Sequence, residues 1–173
     1  PSSTLEVSKV LKVCYENGVA IVPISGNTGL SGGTSANNSI MLSLERLNKI
    51  HKIKIHSRTA IVDAGVKLSN LHSAVEELDL IFPLTFGAKG SAMIGGVLST
   101  NAGGSNVLKY GNTRTLCMGL EVVLPDGRIL DLMSELHKDN TGYDLKDLVI
   151  GAEGTLGIIT AAVLKLSPKP VAY

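Results

Sequence analysis

The sequence predicts an α+β fold, and three observations carry that expectation. Apolar residues recur at helical spacing in two segments, short apolar runs bounded by turn residues mark several strands, and a Pro-Asp-Gly turn joins two of the strands. With 173 residues the chain can bury a sizeable core, and its length fits one domain or two small subdomains sharing an interface.

The first helix is announced by Ser3 and Glu6, three residues apart in the form of a capping box; Val7, Val10, Leu11 and Cys14 then share one face until Gly18. Residues 19–23 form a short apolar strand that runs into a glycine loop, and residues 40–44 form a second strand after the polar stretch 34–39. Residues 50–56 and 59–64 are two further strands, closed by Gly65. A second helix starts near Lys67, with Leu68, Leu71, Val75 and Leu78 as its apolar stripe. His72 and Glu76 lie beside that stripe one turn apart, where a helix-surface pair is favoured over a metal site. Residues 116–124 and 128–132 flank Pro125-Asp126-Gly127 as a hairpin, since Pro presets the turn and Gly relieves its exit. A last strand is expected around residues 156–166, ended by Pro168 and Pro170.

Composition removes several function classes. Hydrophobic residues make up 44% and charged residues 18% at a formal net charge of +1, so no basic field gathers nucleic acid. No apolar run approaches the ~20 residues of a membrane-spanning helix, and residues 1–16 lack the features of a signal peptide. A soluble chain without a transmembrane segment is expected. Cys14 and Cys117 stand in no metal or redox spacing and read as small core residues of a reduced, cytoplasmic protein. His51, His56 and His137 have no ligand spacing either and read as surface residues; no metal site is expected.

The 19 glycines are above the usual ~7% and they cluster. In VPISGNTGLSGG, Gly26, Gly29, Gly32 and Gly33 follow an apolar strand directly, an arrangement that lets loop amides converge on an anion with help from Ser25, Asn27 and Thr28. The loop lacks the Lys of a P-loop and the spacing of GxGxxG, and it leads into a polar stretch and a strand rather than a helix. Taken alone, it is compatible with a tight structural turn or a ligand site. A second stretch, FGAKGSAMIGGVLSTNAGG, reads as a long glycine loop, and IGAEGTLGII as a third. Several such loops leave poorly packed backbone unless a large phosphorylated cofactor fills the space between them. Glu153 is the one ionisable side chain in its glycine and aliphatic setting; it suits ribose or amide donors, or is an exposed turn carboxylate.

These stretches, with GLEVVLPDG and KDNTGYDLKDL, resemble the FAD-binding (PCMH-type) domain of the vanillyl-alcohol oxidase superfamily, in its D-2-hydroxyacid dehydrogenase branch of D-2-hydroxyglutarate dehydrogenases, D-lactate dehydrogenases and glycolate oxidase flavin subunits. The resemblance covers essentially the whole chain. It implies two α/β subdomains, residues 1–56 and 57–173, with non-covalently bound FAD in the cleft between them. Carried over, Ile24, Ser25, Gly26, Asn27, Thr28 and Gly29 surround the diphosphate. Pro83, Gly87, Ala88, Ser91, Gly95, Gly96, Asn101, Gly103, Gly104 and Tyr110 line the cofactor from the second stretch, and Glu153, Gly154 and Ile159 border the adenosine. The family usually has Arg or Gln, then Gly, where this chain has Ile24-Ser25, which implies one polar contact fewer and weaker binding.

The implied activity is oxidation of a D-2-hydroxyacid to the 2-oxoacid with electrons passed to a separate acceptor. Catalytic residues are not legible: Lys109 and Arg114 read as solvated loop charges rather than a carboxylate clamp. The resemblance places the substrate clamp in a C-terminal domain beyond this chain, which is expected to be catalytically poor by itself. The alternatives are a non-redox nucleotide- or phosphosugar-binding module on the same scaffold and a structural subunit beside a catalytic partner.

Overall fold

A computed structural model describes residues 1–171. The chain opens with helix α1 (Thr4–Glu16), followed by strands β1 (Ile21–Ile24) and β2 (Ile40–Ser43). Ser3 caps α1 by accepting from Glu6 N at 3.3 Å, while the Glu6 carboxylate turns back to accept from Ser2 N at 2.7 Å. Val7, Leu11 and Cys14 are the buried face of the helix. Strands β1 and β2 pair in parallel, Ile21 opposite Ile40 and Ile24 opposite Ser43. A parallel pair needs a crossover of a dozen or more residues, and here residues 25–39 make it without a helix. The glycine loop is that crossover.

The core is a five-stranded antiparallel sheet. Its strands are β3 (Ile50–Lys54), β4 (Thr59–Asp63), β6 (Cys117–Val123), β7 (Ile129–Leu132) and β8 (Ile158–Lys165), in the order β3-β4-β8-β6-β7; the short β5 (Leu80–Ile81) pairs with β9 (Ser167–Pro168) elsewhere. Every residue of β8 except Lys165 is buried, as a central strand with both faces covered requires. Helix α1 is fastened to this sheet by polar contacts. Thr4 Oγ1 and Thr160 Oγ1 both donate to Glu121 Oε1, at 2.6 and 2.7 Å, and Ser8 Oγ donates to the Gly127 carbonyl. The division expected after residue 56 falls inside the β3–β4 hairpin, since β3 is an edge strand of the large sheet.

Helices α2 (Leu68–Glu76), α3 (Ile94–Ser99), α4 (Val107–Tyr110) and α5 (Leu145–Val149) complete the chain, with a 3₁₀ turn at Gly87–Gly90. The second glycine stretch, expected as one long loop, thus contains a helix, and the reason is tertiary. Ile94 N donates to Val66 O at 3.0 Å, Gly95 N donates to Ala64 O at 2.6 Å, and Ile94 and Leu98 are fully buried. Gly95 is required there because a β-carbon would come within 2.8 Å of Ala64 Cβ. These bonds outweigh the low helix propensity of IGGVLS.

His72 and Glu76 lie one turn apart as expected and share an electrostatic interaction but no hydrogen bond. Glu76 instead accepts from Lys169 Nζ at 2.7 Å, and His72 Nε2 is enclosed without a hydrogen-bond partner. Cys14 and Cys117 are buried. His51 contacts Asp63 at 2.6 Å, and His137 contacts the Ser57 carbonyl. Among the described residues no three His, Cys, Asp or Glu side chains are grouped to hold a metal, and no helix is long and apolar enough to cross a membrane.

Candidate functional site

A cleft of about 480 Å³ opens between three walls, a volume within the usual range for small-ligand sites. The loop after β1 supplies Ser25 to Gly29 with Ser31, Gly33 and Thr34; the approach to α3 and its first turns supply Ala92, Met93, Gly95, Gly96 and Val97. The third wall is Glu153 and Gly154 with Gly157, Ile158 and Ile159 at the start of β8. The walls touch closely at two glycines. Gly26 lies against the Ser91 carbonyl and Ala92 Cα, and Gly154, at φ +82°, sits where a β-carbon would meet Pro23 Cγ at 2.7 Å. Gly151 N donates to Leu98 O at 3.1 Å and Glu153 N to Ser99 O at 2.9 Å, which staples the third wall to the end of α3.

The loop that forms the first wall carries donors without protein partners. Among the described residues, no backbone N–H from residue 25 to 34 donates to a protein acceptor. Asn27 stands at φ +48° and its Oδ1 accepts from Thr34 Oγ1 at 2.8 Å, which ties the loop's two ends together. Ser25 Oγ is buried and unpartnered. Opposite it, Gly96 leaves room that a β-carbon would fill, 3.2 Å from Ser25 Cβ. Unpaired loop amides suit a diphosphate, and the exposed Glu153 carboxylate, beside Gly33, suits hydroxyl or amino donors rather than phosphate. The donor set and the glycine cradle fit a dinucleotide.

Of the residues expected to hold a cofactor, Ile24, Ser25, Gly26, Asn27, Thr28, Gly29, Gly95, Gly96, Gly103, Glu153, Gly154 and Ile159 line the cleft together. Pro83, Gly87, Ala88, Ser91, Asn101, Gly104 and Tyr110 are not among the lining residues. Several of these have structural work instead. The Pro83 carbonyl accepts from Asn106 Nδ2 at 3.1 Å, Gly104 packs on the Thr85 backbone, Asn101 Oδ1 accepts from Arg114 N at 3.0 Å, and Ser91 backs Gly26. Lining residues that sequence reasoning missed include Pro23, Leu44, Phe86, Ala92, Met93 and Val97. All but Leu44, which follows β2, flank the glycine runs, and none carries a polar signal of its own.

Arg114 is not the solvated loop charge expected from the sequence. Its Nη2 donates to the Ile150 carbonyl at 2.6 Å and its Nε is buried without a partner, so it clamps the turn that leads to Glu153. Lys109 lies 5.1 Å from the centre of the Tyr110 ring.

Residues 1–133 match the family model described as an FAD binding domain. The chain belongs to that family. It is 48% identical over 171 residues to a mitochondrial D-2-hydroxyglutarate dehydrogenase of Bos taurus, with 98% of this chain and 31% of the relative covered. It is 45% identical over 173 residues to a D-2-hydroxyglutarate–pyruvate transhydrogenase of Saccharomyces cerevisiae, covering 99% of this chain and 35% of that one. Among solved structures, an alkyldihydroxyacetonephosphate synthase matches with a TM-score of 0.88 at 26% identity, over 99% of this chain and 31% of that protein. This FAD-binding domain thus spans about a third of the length of these relatives. Ile24 and Ser25 stand in its first cleft wall.

Proposed function

We propose that this FAD-binding domain holds the flavin of an oxidoreductase that converts a D-2-hydroxyacid to the 2-oxoacid, with D-2-hydroxyglutarate ahead of D-lactate and glycolate. The observation that carries the reading is the cleft itself: three glycine walls meet around unpaired amides and the orphaned Ser25 hydroxyl. The relatives' names point the same way on substrate. FAD, when bound, supplies the acceptor for the hydride of the hydroxyacid carbon.

The chain's own residues bind and orient. Loop amides of residues 26–29 meet the diphosphate, Glu153 accepts from adenosine donors, and the Arg114 clamp on Ile150 keeps the Glu153 turn in place. No His lies in the first loop, so attachment is non-covalent. The substrate clamp and the electron acceptor lie outside these walls. The buried thiols of Cys14 and Cys117 suit a reducing compartment, which we take to be the cytoplasm. The bovine relative is named mitochondrial, and cell fractionation separates the two.

The test is reduction of the full-length protein's bound flavin by each hydroxyacid without oxygen. Bleaching by D-2-hydroxyglutarate faster than by D-lactate or glycolate supports the proposal. Bound flavin that none of the three bleaches overturns the activity, and a cleft that takes ADP or a nucleotide sugar in preference to FAD favours a non-redox nucleotide module.

A further inference from the structure

We infer that the Ser25 hydroxyl is a direct hydrogen-bonding contact to the bound dinucleotide, so that the Ile24-Ser25 pair supplies a polar contact rather than lacking one. This rests on the FAD reading above. Ser25 follows the last residue of β1 and lines the cleft, and its Oγ is enclosed without any protein partner. A hydroxyl has one proton to donate and two lone pairs, and leaving all of them unmet in a buried position is costly. Native folds keep such a group where something else satisfies it.

Its surroundings hold it in place. Gly96 in α3 stands opposite, and a β-carbon there would lie 3.2 Å from Ser25 Cβ and 3.3 Å from Oγ. Glycine at this position leaves the hydroxyl uncrowded from across the cleft. Ser25 is absent from the residues with positive φ, so its side chain adds no backbone strain at the position. It also directly precedes residues 26–29, whose amides are unpaired, which places the hydroxyl at the edge of the same donor cluster.

Removing only the oxygen gives opposite effects on the two states. In the FAD-free protein, Ser25→Ala deletes an unsatisfied polar atom, so the melting temperature stays the same or rises. With FAD, it deletes a hydrogen bond, so Kd measured by flavin fluorescence titration rises about tenfold. A Kd within twofold of the parent overturns the assignment and leaves the FAD reading intact. A lower melting temperature of the FAD-free variant also overturns it, because the hydroxyl then has a protein partner. A parent protein that takes up no FAD overturns both.

Discussion

Gly26 lies so close to Ser91 that a β-carbon on it would collide with the Ser91 carbonyl and come within 2.9 Å of Ala92 Cα. Two backbone segments, one from each glycine stretch, are thereby locked together at the floor of the cleft. Gly29, three residues on, has nothing within 4 Å of the same hypothetical atom.

The two glycines should respond differently to the same substitution. Gly26→Ala forces backbone apart and is expected to cost ~1–3 kcal/mol, a fall of several degrees in melting temperature. Gly29→Ala should leave the FAD-free melting temperature unchanged, since its β-carbon meets nothing, and weaken FAD binding if the proposed diphosphate contact is made at that open backbone. Equal melting temperatures for the two variants would contradict the packing account.

Ser25 and Gly96 should behave as a size-matched pair. Gly96→Ala crowds Ser25 and is expected to weaken FAD binding, and the loss should shrink when Ser25→Gly has already cleared the space. Flavin titration across the double-mutant cycle should give a coupling of ~0.5–3 kcal/mol. Strict additivity would show that the two positions act independently.

Arg114 ties its own segment to the third wall through the Ile150 carbonyl, and Gly151 sits against both its guanidinium and Asn101. A lysine cannot reproduce the planar fork. Arg114→Lys is expected to cost ~1–2 kcal/mol and to speed hydrogen exchange at Gly151 and Glu153, whose amides bond to Leu98 and Ser99. Unchanged protection of those amides would remove the clamp role.

Burial lowers the pKa of His72 below its ordinary value of 6.5, against partial compensation from the backbone at Leu84 and Phe82. The unfolded chain therefore takes up this proton first. Stability is full above about 6.5 and declines as pH falls from there towards the folded-state value. His72→Gln should flatten the dependence, and an unchanged slope of stability against pH would assign it to other groups.

Burial likewise pushes the Cys117 thiol up to about 12, and its Sγ contacts the Gly119 carbonyl at 3.3 Å. Iodoacetamide at pH 8 should modify Cys117 only after denaturation, as mass spectrometry would show.

Most strands were legible because apolar runs and turn residues mark them, and the β6–β7 hairpin followed directly from Pro125-Asp126-Gly127. Helix α3 was not, since Gly95 and Gly96 argue against a helix and it is held by the bonds to Ala64 and Val66 and the burial of Ile94 and Leu98. Glycine clustering located the cleft's three walls. It could not separate glycines that line the cleft, such as Gly96, from glycines that admit a neighbouring backbone, such as Gly104 beside Thr85. Both need the absence of a side chain. Arg114 was misread for a similar reason, as no local pattern signals a carbonyl 36 residues away.

The proposed function stands on FAD held in the cleft between the glycine walls without a covalent bond. The most direct measurement is the visible spectrum and flavin content of the full-length protein after reconstitution with FAD and gel filtration, before and after acid precipitation. One flavin per chain, staying in the supernatant on precipitation, is expected. A chain that retains no flavin, or flavin that precipitates with the protein, would contradict it.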